Sequence, residues 1–141
     1  LDDWVFGCDV CQEVCPWNRA APLAQETQFT PDSAQNPLDV VCLFDLDETA
    51  FRQRFRHTPL WRSKRRGLLR NAAIVLGNRP SDRGLKALLR GLHDQEVIVR
   101  AAVAWALGRH RQVAATDALR ARLATESDPA VRAEIESALG R

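Results

Sequence analysis

From Asp47 to the end of the chain, apolar side chains recur three or four residues apart, and each run is bracketed by a capping residue or a glycine. Asp47 is placed to cap a helix carrying Phe51 and Phe55, which stops before Thr58-Pro59. The next helical stretch runs to Leu76 and is closed by Gly77-Asn78, with Gly67 as a break. Ser81 opens another that ends near Leu92, and residues 96–107 give the most apolar helix, closed by Gly108. Asp128-Pro129 sets a cap before a proline at the first helical position, and Gly140 closes the last helix. No strand-length alternation competes with these helices. Residues 21–46 carry Pro22, Pro31 and Pro37 with little periodicity beyond one short apolar run, and predict an irregular connection with a helical turn or two. Residues 1–20 hold a cluster of cysteines.

A repeat underlies the helical part. Val99-Arg100-Ala101 with Ala106-Leu107-Gly108 returns as Val131-Arg132-Ala133 with Ala138-Leu139-Gly140, a spacing of 32. A weaker copy covers Arg70-Asn71-Ala72-Ala73 to Leu76-Gly77, and Leu88 and Leu92 reappear as Leu119 and Leu123. Two helices per repeat of this length indicate an α-solenoid, in which small Ala positions let helices approach and Leu and Val fill the shared core. The opening Asp128-Pro129-Ala130-Val131-Arg132 resembles that of HEAT-like repeats. Arg100 and Arg132 occupy the same repeat position and are expected to bridge adjacent repeats.

Composition changes this picture in three ways. The 141 residues are 45% apolar and 27% charged, which suits a compact soluble domain. No apolar stretch reaches the roughly 18 residues of a membrane span, and the acidic start Leu1-Asp2-Asp3 is unlike a secretory signal. Met is absent even at position 1, so the chain reads as a piece of a longer protein. The net charge of +2 hides a split: residues 1–48 carry ten Asp/Glu and one Arg, whereas residues 49–141 carry nineteen Lys/Arg and eight Asp/Glu. Such asymmetry suggests two roles, one of them polyanion binding.

Four cysteines sit at 8, 11, 15 and 42. Three within eight residues, without secretory features, read as metal ligands in a reducing cytoplasm rather than a disulfide framework. Cys8-x2-Cys11-x3-Cys15-Pro16 matches the ferredoxin run C-x2-C-x2-C-x3-C-P if the opening cysteine precedes residue 1. The cysteine before the proline ligates the other cluster in two-cluster ferredoxins. Cys8 and Cys11 are therefore assigned to one [4Fe–4S] cluster and Cys15 to its neighbour, neither complete within the chain. A zinc site recruiting Cys42 is the alternative, which the spacing disfavours. Cys42, inside an apolar run, reads as an ordinary buried residue. Gly7 would let backbone N–H groups approach the sulfides, and Trp17 would shield the site or pack between domains.

The string Gly-Cys-Asp-Val-Cys-Gln-Glu-Val-Cys-Pro-Trp-Asn, residues 7–18, resembles the second iron–sulfur motif of the epoxyqueuosine reductase family. The likeness continues through residues 58–71 (Thr-Pro-Leu-Trp-Arg-Ser-Lys-Arg-Arg-Gly-Leu-Leu-Arg-Asn) and Leu76-Gly77-Asn78, and a HEAT-like tail often follows in that family. The resemblance implies an oxidoreductase that reduces epoxyqueuosine to queuosine at the wobble position of tRNA, using cobalamin and two [4Fe–4S] clusters. It places the corrinoid domain, the proton-donating acid and the first cluster motif upstream of Leu1, so the fragment alone would be inactive. It also makes Cys8 and Asp9 the cobalamin-contacting pair. The implied architecture is mainly α: the end of a ferredoxin-like two-cluster module over 1–20, an irregular connection over 21–46, and a basic helical segment with HEAT-like repeats over 47–141.

Residues 49–81 contain nine Lys/Arg and no Asp/Glu. On one helix Arg62, Arg66 and Arg70 would share a face, and with Lys64 and Arg65 they form a candidate surface for phosphates of a tRNA anticodon stem-loop. Trp61 is a candidate base-stacking residue, with a core anchor as the plainer role. His57, His93 and His110 have no ligand spacing and are given no chemistry. Two other classes remain open: the tail of another iron–sulfur enzyme such as a corrinoid-dependent reductive dehalogenase, and a HEAT-repeat interaction module with structural metal. A small organic halide needs no extended positive surface, and the ferredoxin spacing disfavours the interaction module. An electron donor of unknown identity is implied, and no membrane partner.

Overall fold

Local hydrogen bonding, not burial, shapes the chain around its cysteines. The computed structural model describes residues 4–22, 25–27, 30 and 37–140, which fall into two packing units, Gly7–Asp39 and Leu1–Phe6 with Val40–Arg141. In the first unit, helix α1 (Val10–Glu13) is a single turn with no buried residue, followed by a 3₁₀ turn at Asn18–Ala20. The Asp9 carbonyl accepts from the Gln12 and Glu13 amides at 2.8 and 2.9 Å. The Asn18 side chain donates to the Gln12 carbonyl and to its Oε1, at 3.2 and 2.6 Å, and so ties the two turns together.

The second unit is mainly helical, with no strand among its described residues. A 3₁₀ turn at Cys42–Asp45 leads to α2 (Glu48–Phe55), where the Asp47 carboxylate accepts from the Ala50 amide at 2.7 Å. A second 3₁₀ turn, Pro59–Ser63, runs into α3 (Lys64–Asn78), followed by α4 (Asp82–Gly91), α5 (Val97–His110), α6 (Val113–Thr125) and α7 (Pro129–Leu139). Ser81 caps α4 by accepting from Gly84, and Asp128 caps α7 by accepting from Ala130 and Val131. Helices α3, α5 and α7 lie side by side, and α4 and α6 cover them from a second layer. Leu68, Leu69, Leu88, Leu92, Val99, Val103, Leu107, Leu119, Val131 and Ile135 fill the space between, each no more than 2% exposed. Phe51, Phe55 and Leu43 close the core at its N-terminal end.

Several boundaries differ from the sequence reading, each for a physical reason. Gly67 breaks nothing, and Gly77 and Gly108 lie inside α3 and α5 rather than closing them. A Cβ on Gly77 would lie 2.9 Å from both Cα and Cβ of Ala106, and one on Gly108 would lie 2.8 Å from the Ala138 Cβ. These glycines mark where one repeat's helix touches the next, so the repeat preserves a close contact, not a stop. α5 ends instead at Arg111, which adopts a left-handed φ of 50°. Cys42 is exposed and its neighbour Leu43 takes the buried place, because the 3₁₀ turn points only one of the pair inward. The face expected for Arg62, Arg66 and Arg70 is interrupted: Arg62 belongs to the 3₁₀ turn, and Lys64 reverses the backbone at φ 56° before α3 proceeds.

The two repeat arginines hold the loops between helices, as their shared position suggested. The Arg100 guanidinium pairs both ways with Glu126, Nε to Oε2 at 2.8 Å and Nη2 to Oε1 at 3.0 Å, and its Nη1 donates to the Asp94 and Gln95 carbonyls. Arg132 Nη1 donates to the carbonyls of Leu123 and Glu126, in the corresponding loop one repeat on. Glu126 also accepts from Arg122 and from the Ser127 and Asp128 amides. The hydrogen bond from Arg100, with smaller help from the Asp128 amide and Arg122, overcomes the cost of burial and lowers the Glu126 carboxyl to about 2. A carboxyl whose pKa falls on folding stabilises the fold above its unfolded pKa of 4.5, and that contribution is lost as pH falls through about 2. Chemical unfolding at a series of pH values between 5 and 2 should therefore show falling stability. Glu126→Gln should flatten that dependence and cost roughly 3 kcal/mol at pH 7, since it leaves the buried Arg100 without its counter-charge.

Candidate functional site

Cys8 lies just before the cap of α1, Cys11 within the helix and Cys15 just beyond its last turn. All three are free of disulfides; Cys8 and Cys11 are exposed and Cys15 half-buried. Gly7 takes φ +68°, a left-handed conformation, with open space where a Cβ would stand. A side chain here would be strained by its backbone, not by a neighbour. Among the described residues no group of three or more His, Cys, Asp or Glu side chains is arranged to hold one metal ion. The donors are thiols, the ligand type of both iron–sulfur clusters and zinc, and none of the three forms a disulfide. Asp9 is exposed at the helix start and makes no capping bond with its side chain. Trp17 is 88% exposed, and Val14 and Val10 beside it are 63% and 46% exposed.

The basic segment divides into arginines the fold uses and cations it leaves available. Arg65 turns inward: Nη2 meets Asp94 Oδ2 at 2.6 Å, Nη1 meets Oδ1 at 3.3 Å, and Nε donates to the Leu46 carbonyl at 2.7 Å. Its side chain is 11% exposed and that of Asp94 6%, so Arg65 braces the fold and leaves the expected phosphate surface. Arg70 is half-buried and donates twice to Asn71 Oδ1, while Asn71 in turn donates to the Val5 carbonyl at 2.8 Å. Arg62, Lys64 and Arg66 are exposed. Trp61 is half-buried against Phe51, closer to the anchor than to the free stacking residue.

Sequence reasoning missed two groups here. Asp94 answers Arg65 from 29 residues away, beyond any local pattern. Arg52, Arg56 and His57 line a depression beside Trp61, and the only signal in the sequence was the absence of acids over residues 49–81. His110, given no chemistry, is buried with Nε2 3.1 Å from the Leu76 carbonyl.

This fold, paired helices stacked so that one glycine contact recurs, defines a helical repeat protein carrying a cysteine loop. Residues 60–140 match the family described as HEAT repeats, and the chain belongs to it. Its relatives are more specific. It is 44% identical to the epoxyqueuosine reductase of Xanthomonas campestris over 75% of this chain and 30% of that protein. It is 38% identical to the enzyme of the same name from Vibrio cholerae, over 84% of this chain and 32% of that protein. Among solved structures, epoxyqueuosine reductase in complex with an epoxyqueuosine-modified tyrosine tRNA stem loop superposes with a TM-score of 0.88 at 26% identity, covering 96% of this chain and 36% of that one. The Bacillus subtilis epoxyqueuosine reductase gives 0.87 at 26% identity over 96% of this chain and 37% of that one. The chain thus spans about a third of the length of the relatives it matches.

Arg65→Ala should lower stability by about 3 kcal/mol, because Asp94 keeps a buried charge without its partner. Arg66→Ala, at an exposed position, should stay within about 0.5 kcal/mol. Urea unfolding of the two variants beside the parent checks the division between structural and available arginines.

Proposed function

We propose that the chain is the C-terminal part of an epoxyqueuosine reductase, a cytoplasmic enzyme that reduces epoxyqueuosine to queuosine in the tRNA anticodon loop. The observation that carries this reading is the conjunction of a C-x2-C-x3-C-P loop with a HEAT solenoid in one chain. The likeness over 96% of the chain to a reductase whose structure holds a modified tRNA stem loop supports it. No helix among the described residues is long and apolar enough to cross a membrane.

Within that protein, Cys8 and Cys11 ligate one [4Fe–4S] cluster and Cys15 the other, the remaining ligands coming from elsewhere in the full-length protein. When bound, the clusters and cobalamin supply the electrons that reduce the epoxide. The chain's own residues do the holding. The bonds from Asn18 to Gln12 fix the loop that spaces the thiols, Gly7 turns the backbone ahead of Cys8, and Cys8 with Asp9 faces the corrinoid. Arg62, Lys64, Arg66 and Arg70 contact phosphates of the anticodon stem-loop, where release of counterions favours binding. Arg65 supports them from beneath.

The full-length protein, purified without oxygen, should contain roughly eight iron and eight acid-labile sulfide per chain, as two four-iron clusters require. It should convert epoxyqueuosine in a stem-loop to queuosine when a reductant and cobalamin are supplied. Cys8→Ala should lose about half the iron and all conversion. Stoichiometric zinc without iron would overturn the proposal, as would an iron-loaded protein that leaves the stem-loop unchanged.

A further inference from the structure

Trp61 stands where α2, the Pro59–Ser63 turn and α3 meet, and its ring is already engaged. The Phe51 ring stacks on it with centroids 5.9 Å apart at 22°, Lys64 Nζ lies 4.6 Å from its centroid and the Arg52 guanidinium carbon 6.0 Å away. A ring so occupied is a poor platform for a base but a good holder of cations, since its electron-rich face attracts them. Beside it lies a depression of about 390 Å³ lined by Arg52, Arg56, His57 and Trp61. Arg56 Nε donates to His57 Nε2 at 2.7 Å, which uses one of its five donors. Among the described residues neither Arg52, Arg56 nor Lys64 forms an ion pair. No Asp or Glu occurs in residues 49–81 to neutralise them.

The backbone supplies a second, independent observation. Lys64 adopts φ 56° and ψ 167°, close to a region kept almost entirely for glycine. Glycine would relieve that strain. What lysine adds is an ammonium held over Trp61, the residue that with two arginines lines the depression.

We propose that Arg52, Arg56 and Lys64, arranged around Trp61, form a phosphate-binding subsite for the RNA backbone, separate from the exposed arginines Arg62 and Arg66. Trp61 is a positioning residue in it and not a base-stacking one. The subsite rests on the RNA-binding reading above and adds a specific place on the surface where one phosphate is gripped by two guanidinium groups and an ammonium.

The test is binding of an anticodon stem-loop to the full-length protein across a series of salt concentrations, read by fluorescence anisotropy. Arg52→Ala with Arg56→Ala should weaken binding about tenfold and lower the log–log salt slope by about 1, as the loss of one phosphate contact requires. Arg52→Lys with Arg56→Lys should keep most of the slope, which separates charge from fold damage. Lys64→Gly should weaken binding while raising the Tm, since it removes a cation and the backbone strain together. A parent protein that binds while the double alanine variant keeps its affinity and slope overturns the subsite alone. A parent that does not bind the stem-loop overturns the RNA reading and the subsite together.

Discussion

The buried pair of Arg100 and Glu126 decides how one repeat is set upon the next. Arg100 belongs to α5 and Glu126 to the turn after α6, so their double hydrogen bond fastens the start of one repeat to the end of its helix pair. The remaining donors of Arg100 close the carbonyls of the loop beneath, and Glu126 takes up the amides that open α7. Two charges and several loop groups thereby satisfy one another away from water, where any one of them alone would be costly. The Gly108 contact crosses the same α5–α7 junction, where a Cβ would lie 2.8 Å from the Ala138 Cβ, and Gly77 repeats it between α3 and α5.

Much of this was legible in the sequence because it is local or repeated. Asp47, Ser81 and Asp128 cap the helices expected of them, since an N-cap needs only its own next turn. Arg100 and Arg132 could be read as structural because the repeat put them at one position. What escaped was set by distant partners. Gly77 and Gly108 carry the composition of helix stops, yet their role comes from the neighbouring repeat. Arg65 has the composition of a nucleic-acid ligand, yet Asp94 and Leu46 claim it from elsewhere in the chain. The shared face of Arg62, Arg66 and Arg70 assumed an unbroken helix, and the reversal at Lys64 has no sequence signal, since lysine rarely adopts it.

The cysteine loop and the basic corner answer different demands. Three thiols stand around a single helical turn that is tied by Asn18 and has no buried residue of its own. The corner around Trp61 draws on a segment, residues 49–81, with nine Lys/Arg and no Asp or Glu, and holds one residue in a strained conformation.

The measurement that bears most directly on this reading is mass spectrometry of tRNA nucleosides from the source organism after deletion of the gene. Accumulated epoxyqueuosine is the predicted result, with queuosine restored by the wild-type gene and not by a Cys8→Ala copy. Normal queuosine in the deletion strain would contradict it and leave a HEAT-repeat protein whose cysteine loop serves another role.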